Sequence, residues 1–125
     1  MVRSSSQFGR ESEEAAAAFL KKKGYRILQR NFRCAAGEID IIAEHRGAVV
    51  FVEVKARSSD RFGPPLAALT PQKQKKLALV AQHFLAGKKT QNRVCRFDVV
   101  AVAGKPDQPN LWKIELLQDA FRSDT

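Results

Sequence analysis

Apolar positions recur at two different periods along this chain, and the switches between them mark out its elements. From about Phe8 to Lys23 the run is rich in Ala, residues 13, 16, 17 and 20 share one helical stripe, and Gly24 follows as a stop. Leu20 and Phe19 mark the buried side of that helix, so Glu13 is expected to turn inward with Ala16 and Ala17. Tyr25 to Arg33 reads as a strand and Cys34 to Gly37 as a tight link. Ile39 to Ala43 and Val49 to Val54 then alternate with a period of two around a polar stretch ending in Arg46-Gly47, which is the pattern of a β-hairpin.

The second half opens with a Ser, Gly and Pro loop, Ser58 to Ala68, that carries Arg61. Thr70 and Pro71 start a second helix as N-cap and first residue, Leu77, Val80, Ala81, Phe84 and Leu85 form its apolar stripe, and Gly87 closes it. Lys88 to Arg93 is a polar link, Val94 to Val102 is strand-like, Gly104 to Asn110 turns, and Leu111 to Leu117 alternates as a last strand. The order α, β, β, β, α, β, β predicts an α/β protein, a mixed sheet flanked by helices, built as a single domain over 1–125. Residues 1–7 and 118–125 are expected to be peripheral, flexible ends.

The hairpin is where chemistry enters. With the turn centred on Arg46-Gly47, Asp40 faces Glu53, Glu38 faces Lys55 and Ile41 faces Val52, and the four charged residues share one sheet face. The opposite face, Ile39, Ile41 and Ala43 against Val50, Val52 and Val54, is the expected core. Two carboxylates about 5 Å apart repel by roughly 3 kcal/mol at an effective dielectric near 20. A register built for stability alone would set Asp40 against Lys55. A divalent cation between Asp40 and Glu53 would turn repulsion into binding, and hard oxygen ligands suit Mg²⁺ or Mn²⁺. A hairpin with one solvated polar face, its acids splayed into water, accounts for the same spacing.

Charge changes the picture further. Twenty-two Lys and Arg against thirteen Asp and Glu give the 125-residue chain a net charge of +9 and a pI near 10.0, a balance that favours a polyanion partner, most simply nucleic acid. Lys73, Lys75 and Lys76 crowd the first turns of the second helix, where cations oppose the helix dipole, and a phosphate contact would explain them. Cys34, Cys95, His45 and His83 have no zinc-ligand spacing, and two isolated cysteines suit a reducing cytoplasm. The polar N-terminus has no signal-peptide core, and no run is long enough to span a bilayer, so no membrane role is expected.

A carboxylate on one strand and Glu-x-Lys on the next, in this element order, resembles the PD-(D/E)XK nuclease superfamily, which includes restriction endonucleases and archaeal Holliday-junction resolvases. More closely, Gly9-x-x-x-Glu13, Gly24-Tyr25, Asn31-Phe32, Gly37-Glu38-Ile39-Asp40 and Phe51-Val52-Glu53-Val54-Lys55-x-Arg57 together resemble the bacterial YraN family of uncharacterised, endonuclease-like proteins. The likeness runs from about Phe8 to Val102. Ile39 stands where the superfamily motif has Pro, which leaves the carboxylate in place.

The resemblance implies a restriction-endonuclease-like fold and phosphodiester hydrolysis on DNA. It makes Asp40 the metal-binding aspartate, Glu53 the second carboxylate, Lys55 the catalytic lysine and Glu13 a helix-borne acid beside one or two Mg²⁺ or Mn²⁺ ions. Glu38, facing Lys55, would hold the ammonium in place. Arg57 is a candidate phosphate clamp, with Arg61, Lys73, Lys75 and Lys76 as further nucleic-acid contacts. The similar resolvases act as dimers, so a homodimer is one assembly the resemblance allows, although no self-complementary surface is legible. Two other readings stay open: a nucleic-acid-binding module that keeps the fold without catalysis, and a basic accessory protein that docks on an acidic partner.

Overall fold

The apolar run Ala48–Phe51, continuing through Val52, has no polar side to offer water, and it becomes the centre of the molecule. The computed structural model describes residues 5–58, 69–86 and 94–122, with side chains from Gln7 onward. In chain order the elements are α1 (Ser5–Lys22), β1 (Arg26–Cys34), β2 (Gly37–His45), β3 (Ala48–Arg57), α2 (Pro71–Leu85), β4 (Cys95–Ala103) and β5 (Lys113–Phe121). The strands form one five-stranded sheet in the order β1-β2-β3-β4-β5. β3 and β4 are parallel, joined through α2, and every other neighbouring pair is antiparallel. The expected α/β domain with a mixed sheet and flanking helices is therefore present. Among the described residues no helix is long and apolar enough to cross a membrane.

The expectation of a hairpin with one apolar face holds for only part of its length. Ile41, Ala43, Val50 and Val52 pack under α1 against Ala16, Ala17 and Leu20. Ile42, Val49 and Phe51 are buried too, under α2 against Leu77, Val80 and Phe84. The correction has a simple cause: a strand between two neighbours in a three-layer fold meets a helix on each face. Ile39 also belongs to the α2 layer, not with Ile41 and Ala43.

Local signals hold well. Arg46 and Gly47 both adopt positive φ, 51° and 82°, as a two-residue hairpin turn demands, and the pairs His45–Ala48 to Ile41–Val52 keep the expected register. Thr70 accepts the Lys73 N–H at 3.2 Å on its side-chain oxygen, and Pro71 opens α2. The described elements extend beyond their expected bounds at both ends. α1 begins at Ser5, so residues 5–7 are helical, and Pro109–Leu111 is a 3₁₀ turn, so β5 starts later and reaches Phe121. Phe121 stacks on Phe97 at 4.5 Å between centroids, which draws the supposed tail into the α2 layer. The loop 59–68, with Arg61, and the link 87–93 lie outside the described residues.

At the end of the sheet where α1 finishes, a polar knot stands in the apolar core. Asp98 of β4 is buried and accepts from Tyr25 Oη at 2.6 Å, from Arg96 Nε at 2.9 Å and from the Asp119 N–H at 2.9 Å. Arg96 also donates to Tyr25 Oη at 3.0 Å and lies 2.9 Å from His45 Nδ1, while His45 stacks on Tyr25 at 4.1 Å. Burial, then Arg96 and Arg46, lowers the His45 pKa, so the ring stays neutral and its Nδ1 accepts. Gln118 donates to Tyr25 Oη at 2.9 Å, which ties β5 into the same network.

Removing the acid would strand a guanidinium under the sheet. Asp98→Ala is expected to destabilise the fold by about 3–5 kcal/mol, and Tyr25→Phe by about 1–2 kcal/mol. Urea unfolding followed by circular dichroism measures both; a loss under about 1 kcal/mol for Asp98→Ala would show that water reaches the network.

Candidate active site

β2 and β3 separate soon after they pair, and the charged residues lie at that fork. Past Ile41–Val52 the ladder ends, and the next inward donor on β3, the Val54 N–H, goes to Asp40 Oδ2 at 2.8 Å. One carboxylate oxygen is thereby fixed by backbone. Glu53, one residue before Val54 and pointing to the opposite face, hydrogen-bonds with the Asp40 carboxyl. The acid-against-acid arrangement read from the register is present, made through side chains and not through continued strand pairing.

Lys55 follows on the same face as Glu53, and its Nζ lies 3.8 Å from Glu53 Oε2. Both side chains are only about one-fifth exposed, at 22% and 20%. Burial first, and then the hydrogen bond and negative charge of Asp40, push the Glu53 carboxyl up to about 9, against the opposing pull of Lys55 and Lys73. At neutral pH Glu53 therefore keeps its proton. That state relieves the repulsion and leaves a site in which a cation can replace the proton.

Glu13 of α1 reaches the same neighbourhood. It is half-buried, and its pKa is raised by burial and then by the charge of Asp40, with Arg30 opposing. The polar residue fully buried on that helix, with Ala16 and Leu20, is Ser12, one position earlier, so Glu13 sits at the rim of the stripe and not inside it. Among the described residues no three His, Cys, Asp or Glu side chains gather closely enough to hold an ion unaided. Two buried carboxylates with only hard oxygens fit a metal that keeps several of its own waters, as Mg²⁺ and Mn²⁺ do.

Glu38 does not face Lys55. It lies opposite Arg33 of β1 and pairs with it, Nε to Oε2 at 3.0 Å, because β2 has left β3 and continues beside β1. The three lysines of α2 also divide. Lys73 lies close enough to act on Glu53, whereas the Lys76 stem lies over Gly37, where an added Cβ would come within 2.8 Å of Cε. Lys75 is exposed between them. Arg57 ends β3 half-buried, and its carbonyl accepts the Gly104 N–H at 3.0 Å.

The buried knot of Tyr25, His45, Arg96 and Asp98 went unread in the sequence. One signal for it was there: Asp98 interrupts an otherwise apolar strand, Phe97 to Val102, and a charge there needs a partner.

Fold and site together define a single α/β domain with a hydrogen-bonded pair of carboxyl groups and a lysine beside them on a mixed sheet. The chain belongs to the uncharacterised protein family UPF0102, whose model matches residues 12–102, and this is the YraN-like family. It is similar to UPF0102 proteins of Syntrophus aciditrophicus (47% identical, over 90% of this chain and 87% of the relative) and Caldicellulosiruptor saccharolyticus (48%, over 92% and 97%). The relative from Symbiobacterium thermophilum is 45% identical over 95% of this chain and 99% of its own.

The raised carboxyl has a sign that can be checked. Glu53 holds its proton more tightly folded than unfolded, so stability is full below its ordinary pKa of 4.5 and falls as pH rises from there toward about 9. Glu53→Gln should flatten that decline in melts taken between pH 5 and 9. A slope unchanged by the substitution would show that Glu53 does not carry the proton.

Proposed function

We propose that this UPF0102 member is a Mg²⁺- or Mn²⁺-dependent DNA endonuclease of the PD-(D/E)XK type. The observation that carries the reading is the contact between the Asp40 and Glu53 carboxyls beside Lys55, on a central strand that gains nothing in stability from two buried acids. The net charge of +9 supports a polyanionic substrate.

Asp40 and Glu53 would hold the metal, with Glu13 near enough to add negative charge from α1. A metal held there would supply Lewis acidity, to make water a better nucleophile and to offset charge at the scissile phosphate. The Val54 N–H fixes the Asp40 carboxyl, which meets that of Glu53. Lys55 stands beside Glu53, placed to orient the attacking water or to stabilise charge on the phosphoryl oxygens. Arg57, Lys73, Lys75 and Lys76 supply phosphate contacts around it, with Arg61 on the loop that follows β3.

A second reading is favoured by the absence of a third close ligand among the described residues: a nucleic-acid-binding module with the same fold and no turnover. In that case DNA affinity would survive loss of Asp40 and fall steeply with salt.

Calorimetric titration with Mn²⁺ is expected to show binding that Asp40→Ala and Glu53→Ala each weaken at least about tenfold. Labelled linear, flapped and four-way-junction DNA should be cut with Mg²⁺ or Mn²⁺ and not with EDTA. Asp40→Ala and Lys55→Ala should each slow cutting by about a hundredfold or more. Binding without cutting under either metal would move the assignment to the non-catalytic module.

A further inference from the structure

The end of the sheet that carries Asp40 and Glu53 has a second feature that the nuclease reading leaves unused. β4 and β5 are joined there by a turn that opens at Gly104, whose N–H is bonded to the carbonyl of Arg57, two residues past Lys55. Leu111, at its 3₁₀ turn, is 65% exposed. Its pedestal is rigid. Trp112 donates its indole N–H to the Lys105 carbonyl at 2.7 Å and packs edge-on against Phe8 of α1 at 5.3 Å. The indole lies so close to Gly104 that an added Cβ would come within 2.6 Å of it.

Strand register connects this turn to the site. Lys55 lies beside Ala101 and Glu115, and Arg57 beside Ala103 and Lys113, in rows across β3, β4 and β5. Lys55, Arg57 and Lys113 therefore share one sheet face, and the small alanines between them keep the floor low. Lys105 adds a cation on the turn; Asp107 and Glu115 are the acids nearby. Among the described residues the other well-exposed large apolar side chains stand elsewhere: Val94 at the opposite end of the sheet, Leu79 on α2 and Leu28 on β1.

We propose that the β4–β5 turn is a second nucleic-acid contact, in which Lys105 and Lys113 hold phosphates and Leu111 enters a disrupted base stack. An apolar side chain on a rigid support, flanked by cations, suits insertion between bases, which pairs unstacking with backbone attraction. Arg57, whose carbonyl holds the start of this turn, lies four residues beyond Glu53, about 13 Å along β3 at about 3.3 Å per residue. The break in stacking is therefore expected about four nucleotides or more from the bond addressed by Asp40, Glu53 and Lys55. The substrate class is accordingly DNA with an unstacked step, such as a flap or a single-strand to double-strand junction. The inference rests on the nuclease reading for its geometry, but its test needs no cleavage.

The full chain is titrated in EDTA into a flap DNA carrying 2-aminopurine at the branch and into a linear duplex of the same sequence. Anisotropy gives affinity and 2-aminopurine emission gives unstacking. Wild type should raise the branch emission about twofold or more, and Leu111→Ala should abolish the rise while changing linear-duplex affinity less than about twofold. Lys105→Ala with Lys113→Ala should weaken both DNAs and lower the salt slope by about two. A rise that persists in Leu111→Ala, or tight wild-type binding with no rise, overturns the wedge and leaves the nuclease reading standing. Failure of wild type to bind either DNA overturns both.

Discussion

A strand buried on both faces can carry charge only where its cover runs out. β3 is such a strand: Val49, Val50, Phe51 and Val52 are closed off by α1 on one side and α2 on the other. Its charged residues, Glu53, Lys55 and Arg57, come only after that stretch. The fork between β2 and β3 opens at the same level, because Asp40 takes the Val54 N–H that pairing would otherwise use. The position of the site is thus a consequence of how the core is covered.

The fork also explains how two acids tolerate each other. Asp40 is held by backbone and cannot splay into water, and Glu53 answers by taking up a proton. A pair arranged for stability alone would have one partner replaced by Lys or Asn. Lys55 is near enough to be that partner and yet stands beside the pair, at 3.8 Å from Glu53. Buried groups that oppose one another and remain in the fold are the usual mark of a functional site.

The neighbouring row of the sheet, where Asp98 of β4 pairs with Val52, shows the contrasting solution. There the buried acid, Asp98, meets an arginine, a tyrosine and a backbone N–H, and its charge is neutralised within the protein. Tyr25 from the α1–β1 connection and Arg96 from β4 bond to it, and through them His45 of β2 and Gln118 of β5 join, so the knot fastens three strands to the end of α1. Asp98 is satisfied by an arginine and a tyrosine, whereas one row away Asp40 and Glu53 meet as two acids with Lys55 to one side.

Much of this was legible in local sequence. Thr70-Pro71 specified a helix start, Arg46-Gly47 a turn, and the turn set the register that brought Asp40 to Glu53, because each depends on neighbours a few residues apart. What sequence alone could not settle was decided by contacts between distant segments. That Ile42 and Phe51 are as buried as Ile41 depends on α2 returning over the sheet. Glu38 paired with Arg33, not with Lys55, because β1 took up the strand that β3 had released. The last strand ran to Phe121 because Phe97, more than twenty residues earlier, gave its ring a place to stack. Periodicity tells which side chains share a face, but only the packed structure determines what that face meets.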